Sequence, residues 1–166
     1  MSTQSDAAST IEFQVRGLPV PQGSAKAFPN PKTGGSIVVT QTPKLKAWRE
    51  AIASEARRAV DHISAMLDDG TGDAFHEPRL GKFELIESAV CVSLLFSFDK
   101  PKSRKKEIHM RTRPDLDKLI RAVLDGCTNV IWKDDSQVCH ITATKIYGVP
   151  GVVVRIMPTT EEQRKP

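Results

Sequence analysis

A mixed β-sheet packed by two main helices, an α/β or α+β sandwich, is the architecture this sequence predicts. Three observations predict it. Strand-like and helix-like segments follow one another as strand, helix, strand, helix, strand, strand, an order that builds a sheet with helices laid on it. The two helical segments each carry one apolar stripe, so each buries a single face. The chain has 166 residues, 39% hydrophobic and 27% charged, which is enough apolar material for one core and too little length for a second ordinary domain.

Residues 1–10 are small and polar, with no basic start followed by an apolar stretch, and read as a disordered tail rather than a secretion signal. A single domain is expected over 11–158, and 159–166 read as a charged tail. Ile11 to Leu18 alternates, with Ile11, Phe13 and Val15 to one side and Glu12, Gln14 and Arg16 to the other, the pattern of a half-buried strand. Pro19 to Ser36 is rich in turn residues, and Ile37 to Thr40 is a short β-prone run. Thr42-Pro43 then opens a helix, with Thr42 able to cap and Pro43 suited to the first turn. This helix is expected to reach about His62, burying Leu45, Trp48, Ile52, Ala56 and Ala59 or Val60. Met66 to Arg79 reads as a connecting loop. Phe83 to Phe98 reads as one long strand near the sheet centre. Asp115 to about Thr128 repeats apolar residues helically at Leu116, Leu119, Ile120, Val123 and Leu124. Gln137 to Tyr147 and Val152 to Met157 are two more strands, joined by Gly148-Val149-Pro150-Gly151, which suits a hairpin turn.

Charge narrows the function classes. The net charge of +4 is modest, but Asp99 to Arg113 holds seven Lys or Arg against two acids, a local +5. One concentrated cationic segment suits a polyanionic partner, although a solvated loop has the same composition. No apolar run reaches the roughly 18 residues of a membrane span. Cys91, Cys127 and Cys139 are odd in number and never form a CxxC pair, against a disulfide framework or cysteine zinc site and in favour of a reducing cytoplasm.

The informative stretch is Arg113-Pro-Asp-Leu-Asp-Lys-Leu-Ile-Arg, followed by Ile131-Trp-Lys-Asp-Asp-Ser-Gln-Val. Asp115 and Asp117 bracket a helix start. Asp there also serves ordinary capping, and Asp134-Asp135 alone would be an ordinary turn. Together they put four carboxylates at the two ends of one helix–loop unit beside the +5 segment. Hard divalent cations take oxygen ligands, commonly one or two carboxylates with water and phosphate. Phosphodiester hydrolysis needs an activated water and a stabilised leaving oxygen, and a cation so held supplies both.

The run Arg-Pro-Asp-Leu-Asp-Lys-Leu, a helix, then Trp-Lys-Asp-Asp-Ser-Gln-Val resembles the signature of the RusA-type crossover junction endodeoxyribonucleases, known mainly from bacteriophages and prophages. The specific likeness covers about Arg111 to Tyr147, and Val15-Arg-Gly-Leu-Pro-Val-Pro-Gln-Gly-Ser is similar to the N-terminal strand and loop of many members. The resemblance implies a cytoplasmic homodimer that binds four-way DNA junctions in recombination and repair and nicks opposing strands with Mg2+ or Mn2+. By position it implies Asp115, Asp117 and Asp135 as the essential carboxylates and metal ligands, with Asp134 auxiliary. Where members often carry a functional Lys, four residues after the second Asp, this chain has Arg121. Arginine can grip phosphate but does not give up a proton, so a charge-stabilising role survives and a proton-transfer role does not. Lys118 could partly substitute, and Arg121 could instead pair with Asp117 or Asp125 at helical spacing. Lys100, Lys102, Arg104, Lys105, Lys106, Arg111, Arg113 and Lys118, with Lys26 and Lys32 of the N-terminal loop, are the expected contacts to backbone phosphates.

The remaining candidates are weaker. His109 lies in the basic segment and is more often a solvated loop residue than a proton carrier. His62, His76 and His140 lack metal-ligand spacing, and Ser24 and Ser136 lack a visible His partner. Trp132 suits an anchor for the helix–strand turn better than a base-stacking platform. The competing functions are a non-catalytic DNA-binding module, in which the carboxylates only cap and pair, and a metal-dependent nuclease or phosphohydrolase acting on other branched DNA, RNA or nucleotides. The absence of a glycine-rich phosphate cradle leans against a nucleotide substrate.

Overall fold

The structure is a computed structural model, and it describes residues 10–23, 26–29, 31, 34, 36–39, 42–67 and 83–159. The expected tails and most of the loop after the first helix, with Ser24, Lys32 and His76, lie outside the described residues.

The order of elements is β1 (Ile11–Arg16), β2 (Lys26–Pro29), β3 (Ser36–Val39), α1 (Pro43–Leu67), β4 (Val90–Phe98), α2 (Leu116–Cys127), β5 (Val138–Tyr147) and β6 (Gly151–Pro158). Strands β1, β6, β4 and β5 form a four-stranded sheet in that order, and β2 pairs with β3 as a separate antiparallel ribbon. Within the sheet β4 and β5 are parallel, and the other pairs are antiparallel. The predicted class, a mixed sheet packed by two helices, is therefore the one observed.

Alternation and register together place the core. Phe13 faces Val154, which faces Leu94, and Val15, Val152 and Phe96 form the next row. All of these are buried, so one face of β1, β6 and β4 is continuously apolar. The helices cover it. Helix α1 buries Leu45, Trp48, Ile52, Ala56 and Val60, the stripe expected from the sequence, and Thr42 Oγ1 accepts from Leu45 N at 3.2 Å to cap its start. Helix α2 buries Leu119, Ala122, Val123, Leu124, Gly126 and Cys127. The two helices touch at Gly126, where a Cβ atom would come within 2.8 Å of Ile52 Cγ2. Only a glycine permits that approach.

Four expectations need correction. Helix α1 runs to Leu67, past its expected end near His62 and into the stretch read as a loop, because Ile63 and Ser64 still pack inward. The turn-rich stretch before Ser36 contains a strand, β2, which gives the β-prone run after it a partner. The long strand from Phe83 is strand only from Val90. Upstream, Ile86 N donates to Ile131 O at 2.8 Å, and Ile86 O and Ser88 O accept from Gln137 Nε2 at 2.6 and 3.3 Å. Those polar groups are satisfied by the turn after α2, so the segment has no need of a sheet neighbour. Finally, Gly148 to Gly151 is not a hairpin turn. Strand β4 lies between β5 and β6, and the turn passes over its end, with Gly148 N donating to Phe98 O at 2.8 Å and Ser97 Oγ to Val149 O at 2.6 Å.

Candidate metal and nucleic-acid site

Asp115 sits at the N-cap of α2 in extended conformation, φ −71° and ψ 139°, and its backbone carbonyl accepts from Leu119 N at 3.2 Å. Its side chain makes no capping hydrogen bond. The ordinary structural use of an aspartate here is thus not taken up, and the exposed carboxylate is left to other partners. Asp117, in the first turn of the helix, pairs with the neighbouring Lys118, Oδ2 to Nζ at 2.8 Å. That hydrogen bond and charge hold its carboxyl below the usual carboxylate range.

The second acidic pair has divided roles. Asp134 Oδ1 accepts from Ser136 N at 2.8 Å, and this hydrogen bond lowers its pKa. Gln137 Oε1 accepts from Lys133 N and Asp134 N, both at 3.1 Å. The glutamine of the Trp-x-Asp-Asp-x-Gln element is therefore a clamp on the turn. Asp135 opens the short 3-10 turn Asp135–Gln137 and is exposed; its backbone carbonyl accepts from Val138 N, and its side chain has no hydrogen-bond or ion-pair partner among the described residues. Trp132, just before it, is fully buried and anchors the helix–strand turn.

The two pairs lie at opposite ends of α2. Lys145 Nζ, near the end of β5, donates to Pro114 O at 2.6 Å and Thr112 O at 2.8 Å, which fixes the helix start beside the C-terminal end of that strand. Asp135 immediately precedes the strand's other end. Twelve helical residues span about 18 Å, and a ten-residue strand spans about 33 Å. Among the described residues no three His, Cys, Asp or Glu side chains form a group that could hold a metal ion. One chain thus carries its two aspartate pairs apart, and among the described residues neither belongs to a closed cage.

The cationic segment is pinned beside Asp115. Met110 N donates to Lys145 O at 3.0 Å and Tyr147 N to Ile108 O at 2.9 Å, and His109 forms a β-bridge with Ile146. Glu107 takes up two of the seven cations, binding Arg104 at 2.9 Å and Arg111 at 3.4 Å. Lys100, Lys102, Lys105, Lys106 and Arg113 are exposed and in no ion pair among the described residues. Lys26 lies on β2, in the two-stranded ribbon and not in the four-stranded sheet.

Arg121 is exposed on α2 and makes no ion pair among the described residues. Neither helical pairing foreseen for it occurs: Asp117 is held by Lys118, and Asp125 by Arg49 of α1. Arg49 Nη2 also donates to Gln22 Oε1, and Gln22 N donates to Lys118 O at 2.9 Å, so the N-terminal loop is tied to α2. Burial, and then the nearby charge of Arg121, lower the pKa of Arg49. Sequence reasoning missed Arg49, Gln22 and Lys145. Lys145 carried a faint signal as a lysine among strand-forming residues. Arg49 carried none, because it is one of five cations along the α1 segment, with Lys44, Lys46, Arg57 and Arg58, and nothing local sets it apart. The groove between β1 and α1, lined by Glu12, Glu55, Arg58 and His62 among others, shares no residue with these groups.

Among known proteins, the family model described as endodeoxyribonuclease RusA matches residues 78–157, which include α2, both acidic pairs and the cationic segment. A relative from Bacillus subtilis (strain 168), described as uncharacterized protein YqaN, is 38% identical over 158 residues, spanning 88% of this chain and 94% of its own length.

Proposed function

The chain belongs to the RusA endodeoxyribonuclease family, and on that premise we propose that it is a Mg2+-dependent endonuclease that resolves four-way DNA junctions as a homodimer, by paired nicks, in recombination and repair. The observation that carries this reading is the pair of unengaged carboxylates, Asp115 and Asp135, on a scaffold whose cationic segment is bound to the Asp115 end. A protein that used these aspartates only for capping and turns would have Asp115 hydrogen-bonded to its helix.

The separation of the two pairs supports the dimer. Strand β5 is a sheet edge, and among the described residues nothing pairs with its outer side from Val138 to Thr144. Such an edge is a template for a second strand. Antiparallel pairing with the same strand of a second copy would set Asp134 and Asp135 of one subunit against the basic, Asp115-bearing end of the other. Opposite charge favours that alignment.

In this reading Asp115 and Asp117 of one subunit and Asp135 of the other hold Mg2+ or Mn2+, with Asp134 steadying the turn and auxiliary to the site. When bound, the ion supplies an activated water and stabilises charge on the departing 3′ oxygen. Lys118 favours the ionised form of Asp117. Arg121 grips the phosphate under attack and moves no proton. Lys100, Lys102, Arg104, Lys105, Lys106, Arg111 and Arg113, with Lys26 and Lys32, hold backbone phosphates without reading sequence. The test is incubation with a synthetic four-way junction and with linear duplex, each with and without Mg2+. Paired nicks on the junction alone, abolished by Asp117→Asn, are expected. Inactivity on both DNAs with every divalent ion overturns the proposal.

A further inference from the structure

Arg121 stands four residues after Asp117 and four before Asp125, so both carboxylates are its natural neighbours on the helix surface. Left alone, such a guanidinium is captured by one or the other, and a captured arginine must break that pair before it can bind phosphate. In this structure both competitors are engaged elsewhere. Lys118 holds Asp117 from the same helix, and Arg49 holds Asp125 from the neighbouring one.

The second engagement is built with some care. The side chains of Arg49 and Asp125 are only 18% and 27% exposed, so the pair is partly shielded from water. Gly126, next to Asp125, lets α1 approach so closely that a Cβ there would lie 3.4 Å from Arg49 O. The same Arg49 nitrogen reaches Gln22, whose backbone is bonded to Lys118. Arg49 Nε is buried without a partner, so its grip on Asp125 and Gln22 is made by Nη2 alone.

We propose that Arg49 is a positioning residue: by occupying Asp125 it keeps the Arg121 guanidinium free for the phosphate of the cleaved strand. This rests on the nuclease reading above for its consequence, although not for the pairing itself. Arg49 touches no substrate. Its removal lets Asp125 recapture Arg121, and removal of both Arg49 and Asp125 frees Arg121 again.

The test compares the wild type, Arg49→Met and the double variant Arg49→Met/Asp125→Asn, with folding checked by circular dichroism. One readout is single-turnover cleavage of a four-way junction with Mg2+. The other is labelling of Arg121 by phenylglyoxal, read by peptide mass, which reports a free guanidinium whether or not the protein cuts DNA. Arg49→Met is expected to slow cleavage by about tenfold or more and to suppress labelling, and the double variant to recover most of both. Arg49→Lys, which still holds Asp125, stays near the wild type. If Arg49→Met does not fold, Arg49→Gln, whose amide keeps a polar contact with Gln22 but has no charge with which to hold Asp125 against Arg121, carries the comparison. Labelling unchanged in Arg49→Met, or as low in the double variant as in the single one, overturns the proposal. A wild type that labels as expected but does not cut junctions overturns the nuclease reading and leaves this one standing.

Discussion

Asp117 and Lys118 show how one neighbour sets a carboxylate's chemistry. The ammonium at 2.8 Å favours the ionised form, so the carboxyl titrates below its ordinary value. A depressed folded-state pKa contributes stability above the unfolded value, and that contribution is lost as pH falls through the folded one. Lys118→Met should therefore move the Asp117 midpoint upward, toward an ordinary aspartate, as read by carbon NMR of the side-chain carboxyl. An unmoved midpoint would mean that the pair is not formed in solution. Gly126 makes a second case at this scale. A methyl group there meets Ile52 Cγ2 at 2.8 Å and Cβ at 2.9 Å, with buried side chains behind them. Gly126→Ala should cost about 1–3 kcal/mol of stability in urea denaturation, since overpacked cores respond on that scale.

At the scale of elements, the turn between α2 and β5 combines an apolar anchor and a polar clamp. Trp132 is buried beneath it, and Gln137 accepts from two backbone N–H groups while donating to two carbonyls of the 86–88 segment. Gln137→Ala removes those bonds, three of them solvent-exposed and open to replacement by water, and should lower stability by about 0.5–1.5 kcal/mol, checked by thermal or chemical unfolding. Asp135 rides on this turn, so cleavage should fall further than the stability loss explains, while junction binding through the distant cationic segment is largely retained. The other end of α2 is fixed by Lys145, whose two bonds to the 112–114 backbone hold the cationic segment against the strand. Those contacts join residues more than thirty positions apart, and no local pattern announces them.

For the molecule as a whole, what was legible in the sequence was what periodicity encodes. The α1 stripe from Leu45 to Val60, the alternation of β1, and the helical repeat after Asp115 all matched burial, because each is a local pattern read against one apolar face. Strand order was not legible. Nothing in Gly148 to Gly151 tells whether the next strand lies beside β5 or beyond β4, since a four-residue turn can make either connection. The site was legible as residue types, through two acidic pairs and a cationic segment. Its layout was not, because the ends of a helix look adjacent in sequence when a dozen residues separate them, yet stand far apart in space. On the proposed function, that layout makes the oligomer the property to test: each chain would carry two half-sites, and pairing would join them into two whole ones.

The most direct measurement mixes two inactive proteins. Asp117→Asn and Asp135→Asn are purified separately, combined so that subunits exchange, and assayed on a four-way junction with Mg2+. If the carboxylates of one site come from both subunits, the mixed dimer contains one intact site, and the mixture should nick one strand although neither parent does. If each site is built within one chain, every site in the mixture carries a lesion, and continued inactivity despite verified exchange would contradict the account.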